Sequence, residues 1–183
     1  MPPTAEHYPG RVDDRAIVER QLGRRTRAFR RVVRRCPFGR PAVTEQEPYD
    51  EAGEPFPTTY YLTCPHLVAA VARLEAAGGV KRWSRAAVDD AALAGSLARA
   101  TGEQRRLRRA LADGRVGRDR GASLDLGIGG ARRPERLKCL HAHAAFALAQ
   151  PGYELGERIL GELEPRWPAR CCTEPLVTPA ERD

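Results

Sequence analysis

Thr58-Thr59-Tyr60-Tyr61-Leu62-Thr63-Cys64-Pro65-His66-Leu67-Val68 changes its period in the middle. The first six residues are β-branched or aromatic, with one leucine, which is the composition of a strand on a half-buried surface. From Cys64 the pattern is helical: Leu67, Val68, Val71, Leu74 and Glu75 follow the 3.6-residue period until Gly78-Gly79 ends it. Pro65 suits the first turn, where its missing amide has no intrahelical partner to lose. A strand passing directly into a helix places the chain among mixed folds.

Working outward, two more strands precede this junction. Phe29 to Arg35 carries Phe29, Val32 and Val33 among arginines, and Ala42 to Gln46 follows the turn Cys36-Pro37-Phe38-Gly39-Arg40-Pro41. The stretch from Glu47 to Pro57, with three prolines and a glycine among acids, is a loop. Asp13 and Asp14 are N-caps for a helix running to about Arg27. Downstream, a long helix occupies about Ser84 to Ala112, with a break expected near Gly102. Residues 113–133 are a Gly- and Arg-rich loop, Pro134 opens a helix to about Ala149, and Tyr153 to Leu163 forms the last one. The prediction is α+β: a small antiparallel sheet, about residues 29–63, covered by four or five helices. Residues 1–10 are expected as a mobile tail, 11–166 as one domain, and 167–183 as a proline-punctuated C-terminal tail.

The whole chain has 183 residues, 42% of them hydrophobic, enough for a real core and against global disorder. No apolar run is long enough to span a membrane, and the N-terminus lacks the layout of a secretory signal, so the expected location is cytoplasmic. The formal net charge is +7, which invites a polyanion partner. Lysine, however, occurs only at Lys81 and Lys138, and such an excess of arginine reads as compositional habit. Arg105, Arg106, Arg108 and Arg109 lie along a predicted helix, where a solvated charged face is the default, and no nucleic-acid-binding motif stands out. Nucleic acid is therefore disfavoured as a partner, though a basic adaptor that binds a protein or nucleic acid stands as one further reading of the function.

The chemistry gathers around cysteine and histidine. Cys36, Cys64, Cys139, Cys171 and Cys172 are odd in number, and with no export signal they argue against a disulfide framework. Cys139 and His143, four apart on a predicted helix, share a face and have the spacing to hold one ion. With Cys36 in a turn and Cys64 at the strand–helix junction they make three thiolates and an imidazole, a donor set for zinc or, alternatively, an iron–sulfur cluster. His141, Cys171 and Cys172 are alternate ligands. Two other readings stand beside this one. The cysteines pack as small hydrophobes and no cofactor is bound, or Cys64, at a helix N-terminus with His66 close by, is a reactive thiol acting on a phosphorylated or thiol-bearing substrate.

Gly127-Ile128-Gly129-Gly130-Ala131-Arg132-Arg133 precedes the helix of Cys139. Gly127, Gly129 and Gly130 allow close backbone approach, and Arg132 and Arg133 favour an anion, so a phosphate-bearing small molecule is one candidate ligand. The loop lacks the lysine and serine or threonine of a Walker loop and the strand of a dinucleotide site. A plain flexible turn is the simpler alternative.

Four motifs occur in order: Arg35-Cys36-Pro37-Phe38-Gly39-Arg40-Pro41, Thr63-Cys64-Pro65-His66-Leu67, Gly127-Ile128-Gly129-Gly130 and Lys138-Cys139-Leu140-His141-Ala142-His143-Ala144. Together they resemble the bacterial domain-of-unknown-function 501 family, common in actinobacteria, over roughly residues 29–172. The resemblance implies no established activity. It implies one more cysteine after the last helix, which Cys171 or Cys172 would supply. If the cysteines and histidine share an ion, the sulfurs of Cys64 and Cys139 lie in one coordination sphere and His143 turns toward them, an arrangement that three-dimensional coordinates check.

Overall fold

The computed structural model describes residues 13–172; the expected N-terminal tail and residues 173–183 of the C-terminal one lie outside the described residues. Helix α1 (Asp14–Leu22) leads into strands β1 (Phe29–Arg35), β2 (Pro41–Gln46) and β3 (Tyr60–Leu62). Helices α2 (Pro65–Ala76), α3 (Gly79–Asp89), α4 (Ala91–Ala112), α5 (Leu140–Ala149) and α6 (Glu154–Gly161) follow. The sheet is antiparallel in the order β1-β2-β3, so the fold is α+β as its sequence indicates.

All six residues of the central strand β2 are buried, including Thr44, Glu45 and Gln46. A buried carboxylate needs charge-assisted partners. Glu45 finds them on β1, where Arg30 Nε and Arg31 Nε donate to Oε2 at 3.1 and 2.8 Å. The arginines of β1 thus serve the sheet.

Helix α5 lies at the centre of the molecule. Leu140, Ala142, His143, Ala144, Ala145, Phe146 and Ala147 are all buried, so most of the helix surface is covered. Its alanines admit close neighbours, and β3, α2 and α6 pack against it. Phe146 meets Tyr60 and Tyr153 edge-on, with ring centroids 5.5 and 5.7 Å apart. Such pairs add to what burial alone contributes.

Several element boundaries differ from the sequence expectation. Helix α1 stops at Leu22, because Gly23 takes the left-handed conformation (φ 65°) and caps it. The single stretch expected over residues 84–112 is two helices meeting at Asp90, whose carboxylate accepts the amides of Ala92 and Leu93; Gly102 stays helical. That split gives six α-helices among the described residues where four or five were expected. The helix expected from Pro134 begins at Leu140, because Arg132, Arg133, Glu135 and Arg136 are all exposed and offer no apolar face before Leu137. Residues 167–172, expected in the tail, lie on the domain: Trp167 packs against the core and Cys171 is buried. No described helix is long and apolar enough to cross a membrane.

The loop after α4 is held by one buried arginine. Arg108 is fully buried, and it donates from Nε to Ser123 O at 3.2 Å and from Nη1 to Phe56 O at 3.0 Å. Burial lowers its guanidinium to about 10, against the smaller opposing effects of Tyr49 and Asp119. Replacing Arg108 with methionine removes both donors, and the expected loss is on the order of 3 kcal/mol in urea unfolding. Arg108→Lys is expected to restore little of it, because one ammonium does not span both carbonyls.

Candidate functional site

Two helix starts share one local design. Cys64 is the N-cap of α2 with His66 two residues on, and Cys139 is the N-cap of α5 with His141 two residues on. An N-cap residue is not yet helical; Cys139 has φ −158° and ψ 126°. Its sulfur therefore follows the extended chain and meets the first turn, and the i, i+4 rule that would pair it with His143 does not apply. The Sγ of Cys139 lies 3.7 Å from His141 Nδ1.

A third donor comes from the end of α2. Glu75 Oε1 is 3.3 Å from the same Nδ1 and accepts the Leu140 amide at 2.5 Å, closing the open N-terminus of α5. On the other side of the ring, Nε2 donates to Val68 O at 3.1 Å. Cys139, then Glu75 and the Val68 carbonyl, push the imidazole up to about 9 against the opposing effect of burial. Glu75, Cys139 and His141 are the group of three metal-type donors among the described residues whose ligand atoms lie within 4.8 Å of one another. Each is partly buried. Cys139 and His141 also line a cavity of about 300 Å³ bordered by Leu22, Tyr60, Tyr61, Leu62, Val68 and Ala142.

The four-donor set of Cys36, Cys64, Cys139 and His143 is corrected by this geometry. His143 is 1% exposed and bonded through Nδ1 to the Tyr153 hydroxyl at 2.7 Å, on the core side of α5. Burial pushes it down to about 3, so it is neutral. Cys36 and Cys64 belong to the hydrophobic core at the end of the sheet, and neither joins the Cys139 group. Of the alternates, His141 is in the group, while Cys172 sits against Cys64 with 3.7 Å between sulfurs and Cys171 is buried. Burial, followed by the backbone and Cys172 contributions, leaves the Cys64 thiol at about 11, so the helix N-terminus does not activate it. His66 turns away to Pro165 O, at 2.8 Å.

The glycine loop owes its composition to packing. A Cβ on Gly129 would come within 2.9 Å of Ala142 Cβ, and one on Gly130 within 2.9 Å of Pro57 Cβ. The amides of Gly127 and Gly130 donate within the loop, to Ala131 O at 2.8 Å and Gly127 O at 3.0 Å, while Arg132 and Arg133 are exposed. The basic helix is likewise engaged internally: Arg105 donates to Asp125 O at 2.8 Å, Arg106 pairs with Glu103, Arg109 pairs with Asp125, and Arg108 is buried.

Glu75 is the residue that sequence reasoning passed over. Its signal was there: a carboxylate in register with Leu67, Val71 and Leu74 on the core-facing side of a helix.

Fold and donors together define an α+β domain with a Cys–His–Glu cluster where the end of one helix meets the start of another. Residues 32–161 match the model of a protein family of unknown function, DUF501, and the chain belongs to that family. The searches of curated proteins and of solved structures return no match.

Gly129→Ala tests the packing account of the loop. With φ 68° and the Ala142 contact, the substitution is expected to cost about 1–3 kcal/mol in thermal or urea unfolding. Millimolar phosphate is expected to leave the wild-type melting temperature unchanged; a clear upward shift would return the loop to candidacy as an anion site.

Proposed function

We propose that this protein binds a divalent metal ion of the zinc type through Cys139 Sγ, His141 Nδ1 and Glu75, with one position left for an exchangeable ligand in the adjoining cavity. The observation that carries the reading is that the thiol and the carboxylate approach the same ring nitrogen, at 3.7 and 3.3 Å. In a nucleophile–base–orienter relay they belong on opposite nitrogens. A thiol and a carboxylate converging on one ring nitrogen are instead a donor set that a cation can gather. With Zn–N of about 2.0 Å and Zn–S of about 2.3 Å, the edges of a tetrahedral site are about 3.3–3.5 Å, close to the distances here. The bond from Nε2 to Val68 O matches the support that metal-bound histidines receive. An iron–sulfur cluster asks for more thiolates than the one at this point.

The open position indicates how such an ion would act. Three protein donors and a free fourth position suit a Lewis acid or a metal-activated water. Among the described residues no arginine or lysine lines the cavity, which favours a largely apolar ligand over a phosphorylated one.

Elemental analysis of the full chain, purified without chelator, tests the reading. The expected result is near-stoichiometric zinc in the wild type and in Cys36→Ser and His143→Gln, with at least a tenfold loss in Cys139→Ser, His141→Ala and Glu75→Gln. Chelator is expected to lower the melting temperature of the wild type and to leave that of Cys139→Ser unmoved. Wild-type protein that is metal-free and takes up no added zinc would sink the proposal.

A further inference from the structure

Cys64 and Cys172 bring two thiols into contact across most of the chain. Their sulfurs are 3.7 Å apart although 108 positions separate them. Neither belongs to the Glu75–Cys139–His141 group. The segment leading to Cys172 is positioned by contacts of three different kinds. Arg82 grips the Glu162 carboxylate with two nitrogens at 2.8 and 2.5 Å. His66, in the same first turn as Cys64, holds Pro165 O at 2.8 Å, and Trp167 packs against the core. The fold thus delivers one thiol to the other.

The two thiols differ in access. Cys64 is 1% exposed, at the N-cap of α2, whereas Cys172 is exposed. A disulfide bond is about 2.05 Å long, so the sulfurs need to close by roughly 1.7 Å to form one. We infer that Cys64 and Cys172 are a reversible dithiol–disulfide site that exchanges with low-molecular-weight disulfides, separate from the proposed metal site.

The chemistry has a defined order. The Cys172 thiolate attacks one sulfur of a small disulfide R–S–S–R; that S–S bond breaks, and the first RSH leaves carrying the equivalent of the Cys172 proton. Cys64 then attacks Cys172 Sγ in the mixed disulfide, and the second RSH leaves with the Cys64 proton. Two electrons pass from the protein pair to the small disulfide, and nothing else is consumed. Exposure assigns the first step to Cys172, since exchange needs an accessible thiolate. Burial keeps Cys64 out of reach of the reagent until the mixed disulfide is beside it.

Incubating the full chain in graded mixtures of oxidised and reduced glutathione, followed by acid trapping, alkylation and mass spectrometry, tests this. The expected product is wild-type protein two hydrogens lighter, with Cys64 and the Cys171–Cys172 peptide crosslinked and the melting temperature raised. Cys171→Ser is expected to give the same bridge, and Cys172→Ser to give none. Cys64→Ala is expected to stop at the glutathione adduct on Cys172. Zinc content is expected to be the same in Cys172→Ser as in the wild type, so failure of the metal reading leaves this experiment intact. Three outcomes overturn the inference: a stable glutathione adduct on the wild type without closure, no reaction at Cys172 under oxidising mixtures, or a bridge that persists in Cys172→Ser. Should Cys64→Ala fail to fold, Cys172→Ser decides the matter, because it alters an exposed residue.

Discussion

Burial of most of α5, from Ala142 through Ala147, is the constraint on which the other elements depend. A helix buried along most of its length needs neighbours on several sides, and here the sheet, α2 and α6 supply them. Small alanines let these layers approach, while Phe146, Tyr60 and Tyr153 fill the space between. One polar side chain goes down with the helix. His143 is accommodated by the Tyr153 hydroxyl at 2.7 Å and by staying neutral, since a charge without a partner is not tolerated at that depth.

The same burial creates the candidate site. A buried helix start leaves amides that need acceptors, and α5 receives one from Glu75 across the interface with α2. Glu75 is thereby drawn to the place where Cys139, as N-cap, and His141, in the first turn, already meet. The packing requirement of the helix and the clustering of donors have a common cause. At α2 the equivalent Cys-x-His start meets other surroundings: His66 binds the Pro165 carbonyl, and Cys64 faces Cys172.

Several of the arginines have internal partners. Arg30 and Arg31 clamp the buried Glu45, Arg35 reaches Asp14 at 2.7 Å, and Arg115 reaches Glu47 at 3.0 Å. The exposed pairs, Arg35 with Asp14 and Arg115 with Glu47, contribute little to stability one by one. They do tie parts of the basic runs to the chain's own acids, as with Arg105, Arg106 and Arg109 on α4.

The sequence by itself determined the class of the fold. The strand of Tyr60–Leu62, the helix from Pro65, the earlier strands and the antiparallel arrangement are legible because period and composition are local properties. It also marked Cys139 and His141 as chemically interesting, through their types and their closeness in the chain. Helix starts and the composition of the donor group were decided only by tertiary structure. Moving the start of α5 from Pro134 to Leu140 turned Cys139 from a helical residue into a cap, and so exchanged His143 for His141 as its neighbour. Glu75 entered from 65 residues away, and Cys172 reached Cys64 across 108. No periodicity encodes such meetings, because they follow from which faces must be buried against one another, and that is settled only when the layers close around α5.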